Sequence, residues 1–198
     1  MATLDLIIQQ GASFNYRLRL ESELNIYKPI SGIEQSAPVR ISCLGHGIPE
    51  GWRVAVVSVK GMVQINALNS PPKPTEYMKA TVIDADTISF NGVNAADYRP
   101  YQSGGYLQYF EPIALGNDVA RMTIKDKIGG NVLLELSTSN GRVAITPANF
   151  TIDLFISAVD THALNFDKGV YDLEYEYQGG EVARLLSGNV LVSKEVTT

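Results

Sequence analysis

Apolar and polar residues alternate with a period of two along several separate stretches of this chain, and that alternation decides most of what it can fold into. Phe14, Tyr16, Leu18 and Leu20 alternate with Asn15, Arg17, Arg19 and Glu21. Ala120, Met122 and Ile124 alternate with Arg121, Thr123 and Lys125. Tyr171, Leu173, Tyr175 and Tyr177 alternate with Asp172, Glu174 and Glu176. Successive side chains of a strand point to opposite faces, so each run buries one face and wets the other. An α-helix, with its longer period, would scatter these residues around its surface. The carboxylates Asp172, Glu174 and Glu176 therefore read as the solvated side of a strand rather than as calcium ligands.

Turn signals bound these runs. Lys127–Gly130, Asn140-Gly141 and Gln178–Gly180 separate apolar segments at 132–136, 142–145, 152–156, 182–186 and 188–192. Leu4–Ile8 reads as the first strand; it lacks a basic leader and carries Asp5, so it is not read as a signal peptide. The stretch 26–32 reads as a connection. Only 159–166 suggests a short helical turn. Seven or more short strands with Gly and Asn turns predict an all-β chain containing a β-sandwich.

A different pattern fills the middle. Ile41–Leu44 and Arg53–Val59 read as strands around a turn built from Gly45-His46-Gly47 and Pro49-Glu50-Gly51, since glycine reaches positive φ without steric cost. The run 60–66 and the Pro-rich loop 69–75 come next. A second hairpin follows at 80–84 and 87–90, with Asp84-Ala85-Asp86 as its turn. The segments 94–98 and 103–109 close the stretch.

The residues HGIPEGWRVAVVSVKGMVQIN followed by KATVIDADTISFNGVNAADYRPYQSGGYL resemble the small β-barrel module named in ubiquitin-activating enzymes, the FCCH domain, which recurs in structural proteins of tailed phages. The resemblance does not carry ubiquitin chemistry, because the catalytic cysteine of those enzymes lies outside the module. The flanking stretches IIQQGASFNYRLRLES, DVARMTIKDKIGGNVLLELSTSNGRVAI and GVYDLEYEYQGGEVARLLSGNVLVS are similar to the N-terminal Ig-like sandwich of phage baseplate upper proteins. Together these imply an Ig-like β-sandwich from residues 1–34 and 111–198, interrupted by an inserted barrel over 35–110. Loop closure costs only ~0.6 kcal/mol per doubling of loop length, so such an insertion is tolerated.

Chemistry is sparse. The net charge of −5 argues against a general nucleic-acid binder, which needs a basic patch. No apolar run reaches the ~18–20 residues that span a bilayer. The single cysteine, Cys43, lies in an apolar strand and reads as a buried structural thiol; no intrachain disulfide is possible. His46 reads as a turn residue bonded to local backbone, and His162 as a surface residue. Cys43 and His46 have a Cys-x-x-His spacing, but no second ligand pair, nucleophile elbow or phosphate loop occurs, so the expectation is no catalytic residue, no metal and no cofactor.

Four tyrosines near the end of the central stretch, Tyr98, Tyr101, Tyr106 and Tyr109, form the candidate interface. Tyrosine suits protein contacts and sugar stacking because it buries area while keeping a polar tip. Packing of a seam between the two domains would use the same residues. The resemblance implies a non-enzymatic adaptor of a tailed-phage virion, in neck, tail or baseplate, assembled in the host cytoplasm. Its partners would be other virion proteins and copies of itself in a ring, with neither nucleic acid nor membrane bound. The alternative is a carbohydrate- or receptor-binding module of a tail or fibre; an enzyme with a site drawn from both domains ranks third.

Overall fold

The computed structural model describes residues 2–116 and 118–195. In chain order the strands are β1 (Ala2–Thr3), β2 (Leu6–Gln9), β3 (Phe14–Arg19), β4 (Glu21–Pro29), β5 (Gly32–Glu34), β6 (Val39–Ser42), β7 (Arg53–Lys60), β8 (Met78–Lys79), β9 (Thr81–Asp84), β10 (Thr87–Phe90), β11 (Ser103–Pro112), β12 (Val119–Lys125), β13 (Val132–Ser137), β14 (Val143–Thr146), β15 (Thr151–Ile156), β16 (Lys168–Glu176) and β17 (Val182–Ser193). Among the described residues the one α-helical turn, α1 (Ala158–His162), is capped by Ser157, whose hydroxyl accepts the Asp160 amide. The chain is all-β.

It divides into two compact units, one made of Met1–Leu20 with Ala114–Thr198 and the other of Glu21–Ile113. The first unit is a β-sandwich. One sheet runs β1–β17–β16–β12–β13, with β2 continuing alongside β17, and the other runs β14–β15–β3. Inward residues of both share one core: Met122 and Ile124 from β12, Leu173 and Tyr175 from β16, and Ile152, Leu154 and Ile156 from β15. Phe14, Tyr16 and Leu18 on β3 pack against it half-buried. The alternation in the sequence is thus the alternation of burial, and each fully buried aliphatic contributes about 1.5–3 kcal/mol.

The opening strand is broken rather than continuous. β1 and β2 both pair parallel with β17, at Ala2↔Leu186 and Leu6↔Val190. Between them the Asp5 carboxylate accepts the Asn189 backbone amide at 2.8 Å and its side-chain amide at 3.0 Å, replacing the lost ladder bonds. Gly188 faces this break: a Cβ there would collide with the Leu4 carbonyl oxygen.

The second unit has two four-stranded sheets, β5–β6–β10–β9 and β4–β11–β7–β8. Its buried residues come from both, with Ile41, Ile88 and Phe90 in the first and Val54, Val56, Leu107 and Tyr109 in the second. Trp52 is fully buried and donates its indole N–H to the Phe110 carbonyl at 2.9 Å. The predicted turn is present, with Gly45, Gly47 and Gly51 all at positive φ.

The border between units departs from the expected one. Residues 21–34, expected with the sandwich, pair inside the second unit, β4 with β11 and β5 with β6. The stretch 26–32, read as a connection, is mostly strand. β4 is a sheet edge with residues exposed on both faces, so it lacks the period-two signature that marks half-buried strands.

Candidate functional site

The four tyrosines do not converge. β11 explains why, since its neighbours alternate between faces: Leu107 and Tyr109 point into the core, Tyr106 and Gln108 to the other side. Tyr109 is 2% exposed, and its hydroxyl donates to the His46 carbonyl at 2.6 Å. Burial pushes its phenol up to about 12. Tyr101 is half-buried and spends its hydroxyl on the carbonyls of Ile30 (3.2 Å) and Gly104 (3.1 Å). Tyr98 is half-buried, and its carbonyl accepts from Gln35 Nε2 at 2.7 Å. Tyr106 alone is well exposed, and its ring meets that of Tyr27 on β4, centroids 6.4 Å apart.

The surface around Tyr106 recruits residues that the sequence did not single out. In the β4–β11 register Tyr27 lies opposite Gln108, Asn25 opposite Phe110 and Pro29 opposite Tyr106, so all six share a face. Gln108 is buried and donates through Nε2 to Asn25 Oδ1 and to the Tyr77 hydroxyl. Tyr77 stacks on Phe110 at 5.7 Å with planes 23° apart, and burial raises its phenol above the ordinary value. The period-two pattern Tyr106-Gln108-Phe110 was legible along β11. Its partners across the ladder were not, because β4 is exposed on both faces and shows no period-two contrast.

The loop that delivers Tyr77 is held by one carboxylate. Glu76 accepts the amides of Leu68 (2.7 Å), Asn69 (3.2 Å) and Lys73 (2.6 Å) and the Asn69 side-chain amide (3.0 Å). These donors, the Lys73 amide foremost, hold its carboxyl below the usual carboxylate range. Arg53 Nη2 adds a bond to the Pro74 carbonyl at 2.6 Å. The segment thus lies against β7 as a fixed wall.

The remaining chemical groups serve the fold. His46 is buried; its Nδ1 accepts the Ile48 amide at 2.9 Å, so the ring proton sits on Nε2 and donates to the Asp84 carbonyl at 2.9 Å. Cys43 is buried, and desolvation raises its thiol above the ordinary value. Asp84 accepts the Asp86 amide at 2.8 Å, which closes the β9–β10 turn. His162 is exposed and pairs with Glu195 at 3.2 Å. Asp172 and Glu174 pair with Arg184 and Arg121 on the wet face of the six-stranded sheet. Among the described residues no group of three or more His, Cys, Asp or Glu is placed to hold a metal, and no helix is long and apolar enough to cross a membrane. No protein-family model and no curated protein matches this chain.

Proposed function

We propose that the protein is a non-enzymatic structural adaptor of a tailed-phage virion, placed in the neck, tail or baseplate. In this reading the sandwich is the Ig-like docking domain, and the second unit is the FCCH-like barrel. The observation that carries the reading is the order of the chain. Two distant stretches build one sandwich, and the stretch between them is a unit of its own. That is the order in which the two resemblances occur along the sequence.

The proposed partners are other virion proteins and further copies of this chain in a closed ring, with assembly in the host cytoplasm. Rings suit such a part because a closed symmetry axis multiplies weak contacts by avidity. Edge strands give the docking chemistry: β3 and β13 in the sandwich and β4 and β9 in the second unit each end a sheet, where a partner strand can add. Mass spectrometry of purified particles tests the reading. The expected result is this chain at several copies per particle, encoded beside portal, sheath or tail-tube genes. Its recovery only from infected-cell lysate, absent from particles, overturns the proposal.

A further inference from the structure

On the face of the β4–β11–β7–β8 sheet opposite Tyr109, two tyrosines stand uncovered beside a buried amide. Tyr27 is 52% exposed and Tyr106 is 44% exposed. Their planes stand at 85°, so the two rings meet edge to face and form a corner. Gln108, opposite Tyr27 in the ladder and two residues along β11 from Tyr106, is 2% exposed and donates at 3.0 Å to Asn25 Oδ1. This bond turns the Asn25 oxygen inward and leaves its NH₂ group outward on an exposed residue. Neither phenol hydroxyl nor Asn25 Nδ2 is hydrogen-bonded to another described residue.

From this arrangement we propose that the face binds a neutral glycan through one pyranose ring. A pyranose is amphipathic: its C–H face stacks on an aromatic ring, and its equatorial hydroxyls need donors and acceptors in the ring plane. The corner formed by Tyr27 and Tyr106 supplies the apolar contact, and the two phenols with the Asn25 amide supply the polar ones. The electrostatics select against an ionic ligand. Glu21 and Arg53 act on Tyr77 at one end of the patch with opposite signs, and the Arg53 guanidinium is bonded to the Pro74 carbonyl. Lys79 lies opposite Arg53 across the β7–β8 ladder, so charge of both signs stands beside the patch. The six patch residues themselves, Asn25, Tyr27, Pro29, Tyr106, Gln108 and Phe110, carry none, which complements an uncharged ligand.

The site is also prepared in advance. Gln108 holds Asn25, the Tyr77–Phe110 stack backs Gln108, and the Glu76 clasp fixes the loop that carries Tyr77. Binding then orders few side chains, which removes a main cost of sugar recognition. The inference stands beside the adaptor reading and does not need it, because the free chain carries the whole patch.

Saturation-transfer NMR and titration calorimetry on the full purified chain test the proposal. The probes are trisaccharides of glucose, galactose and N-acetylglucosamine, with 3′-sialyllactose as the anionic contrast. At least one neutral trisaccharide is expected to bind. Tyr27→Ala and Tyr106→Ala should each weaken that binding about tenfold, the scale of one lost aromatic contact. Tyr27→Phe, which keeps the ring, should lose less, and Ile128→Ala on the other unit should change nothing. Circular dichroism of each variant establishes that the fold persists. Absence of binding by every neutral probe, binding of the sialylated probe alone, or binding indifferent to both tyrosine variants overturns the proposal. So does a dimer of the wild-type chain that either Tyr→Ala change converts to monomer, since the face is then a contact between copies.

Discussion

His46 shows how a residue can look chemical in a sequence and be structural in the fold. Both ring nitrogens are used within the turn, one accepting from Ile48 and one donating to Asp84, while its carbonyl takes the Tyr109 hydroxyl. His46→Ala leaves buried groups without partners and should cost about 2–4 kcal/mol in urea unfolding of the second unit, against about 1 kcal/mol for Tyr109→Phe. Tyr109, Tyr171 and Tyr175 form a second residue-scale test, because burial pushes each phenol up to about 12. A raised tyrosine value means that the folded state keeps a proton the unfolded state gives up. Their contribution to stability is therefore constant below about pH 10 and is lost between about 10 and 12. Absorbance titration should show these three of the ten tyrosines ionising last, with Tyr77 also later than an ordinary phenol. Each Tyr→Phe change at these positions should remove one late step. Asp118 works in the opposite sense. It accepts from the Tyr175 hydroxyl first, then from the Gln178 and Gly116 amides, which holds its carboxyl below the usual range. Its stabilisation is present above the ordinary carboxylate range and is lost as pH falls through its own lowered value.

Among the elements, the broken opening strand and the Glu76 loop carry the clearest consequences. β2 brings Leu6 and Ile8 into the sandwich core, and the approach of the β1–β2 break to β17 needs a residue without a Cβ at 188. Gly188→Ala should lower the stability of the sandwich by about 1–3 kcal/mol, as overpacking does, read as an earlier thermal transition of that unit alone. The Glu76 clasp predicts a local effect instead. Glu76→Ala should speed amide exchange at Leu68, Asn69 and Lys73 while the β7 and β11 amides keep their protection. Acidification should do the same to the wild-type loop, because the lowered carboxyl is stabilising above its unfolded value and stops being so once protonated. The elements with strict alternation, β3, β12 and β16, could be placed from sequence because one face of each is wet. β4 could not, since an edge strand exposed on both faces has no such contrast. The sequence pattern suggests two short segments over 182–186 and 188–192, whereas the pairing joins them into one strand, β17, with a register shift opposite Leu173 and Glu174.

For the whole molecule, the two-unit division makes a prediction that depends on its borders. Replacing 21–113 by a short Gly/Ser linker should leave a sandwich that melts cooperatively, and 21–113 alone should fold. Replacing only 35–110 should leave β4 without β11 and expose residues 21–34 to proteolysis. Equal protease resistance of both deletions would show that the border lies elsewhere. By itself the sequence determined the all-β class, the turns, the solvated faces and the buried position of Cys43, because these follow from local periodicity and from the backbone freedom of glycine. Only the tertiary structure decided which tyrosines share a surface. Tyr106 and Tyr109 are three residues apart yet lie on opposite faces of β11, while Tyr27 and Tyr106, far apart in sequence, touch across the ladder. Strand pairing is a long-range choice made by which faces bury together, and no short stretch of sequence contains it.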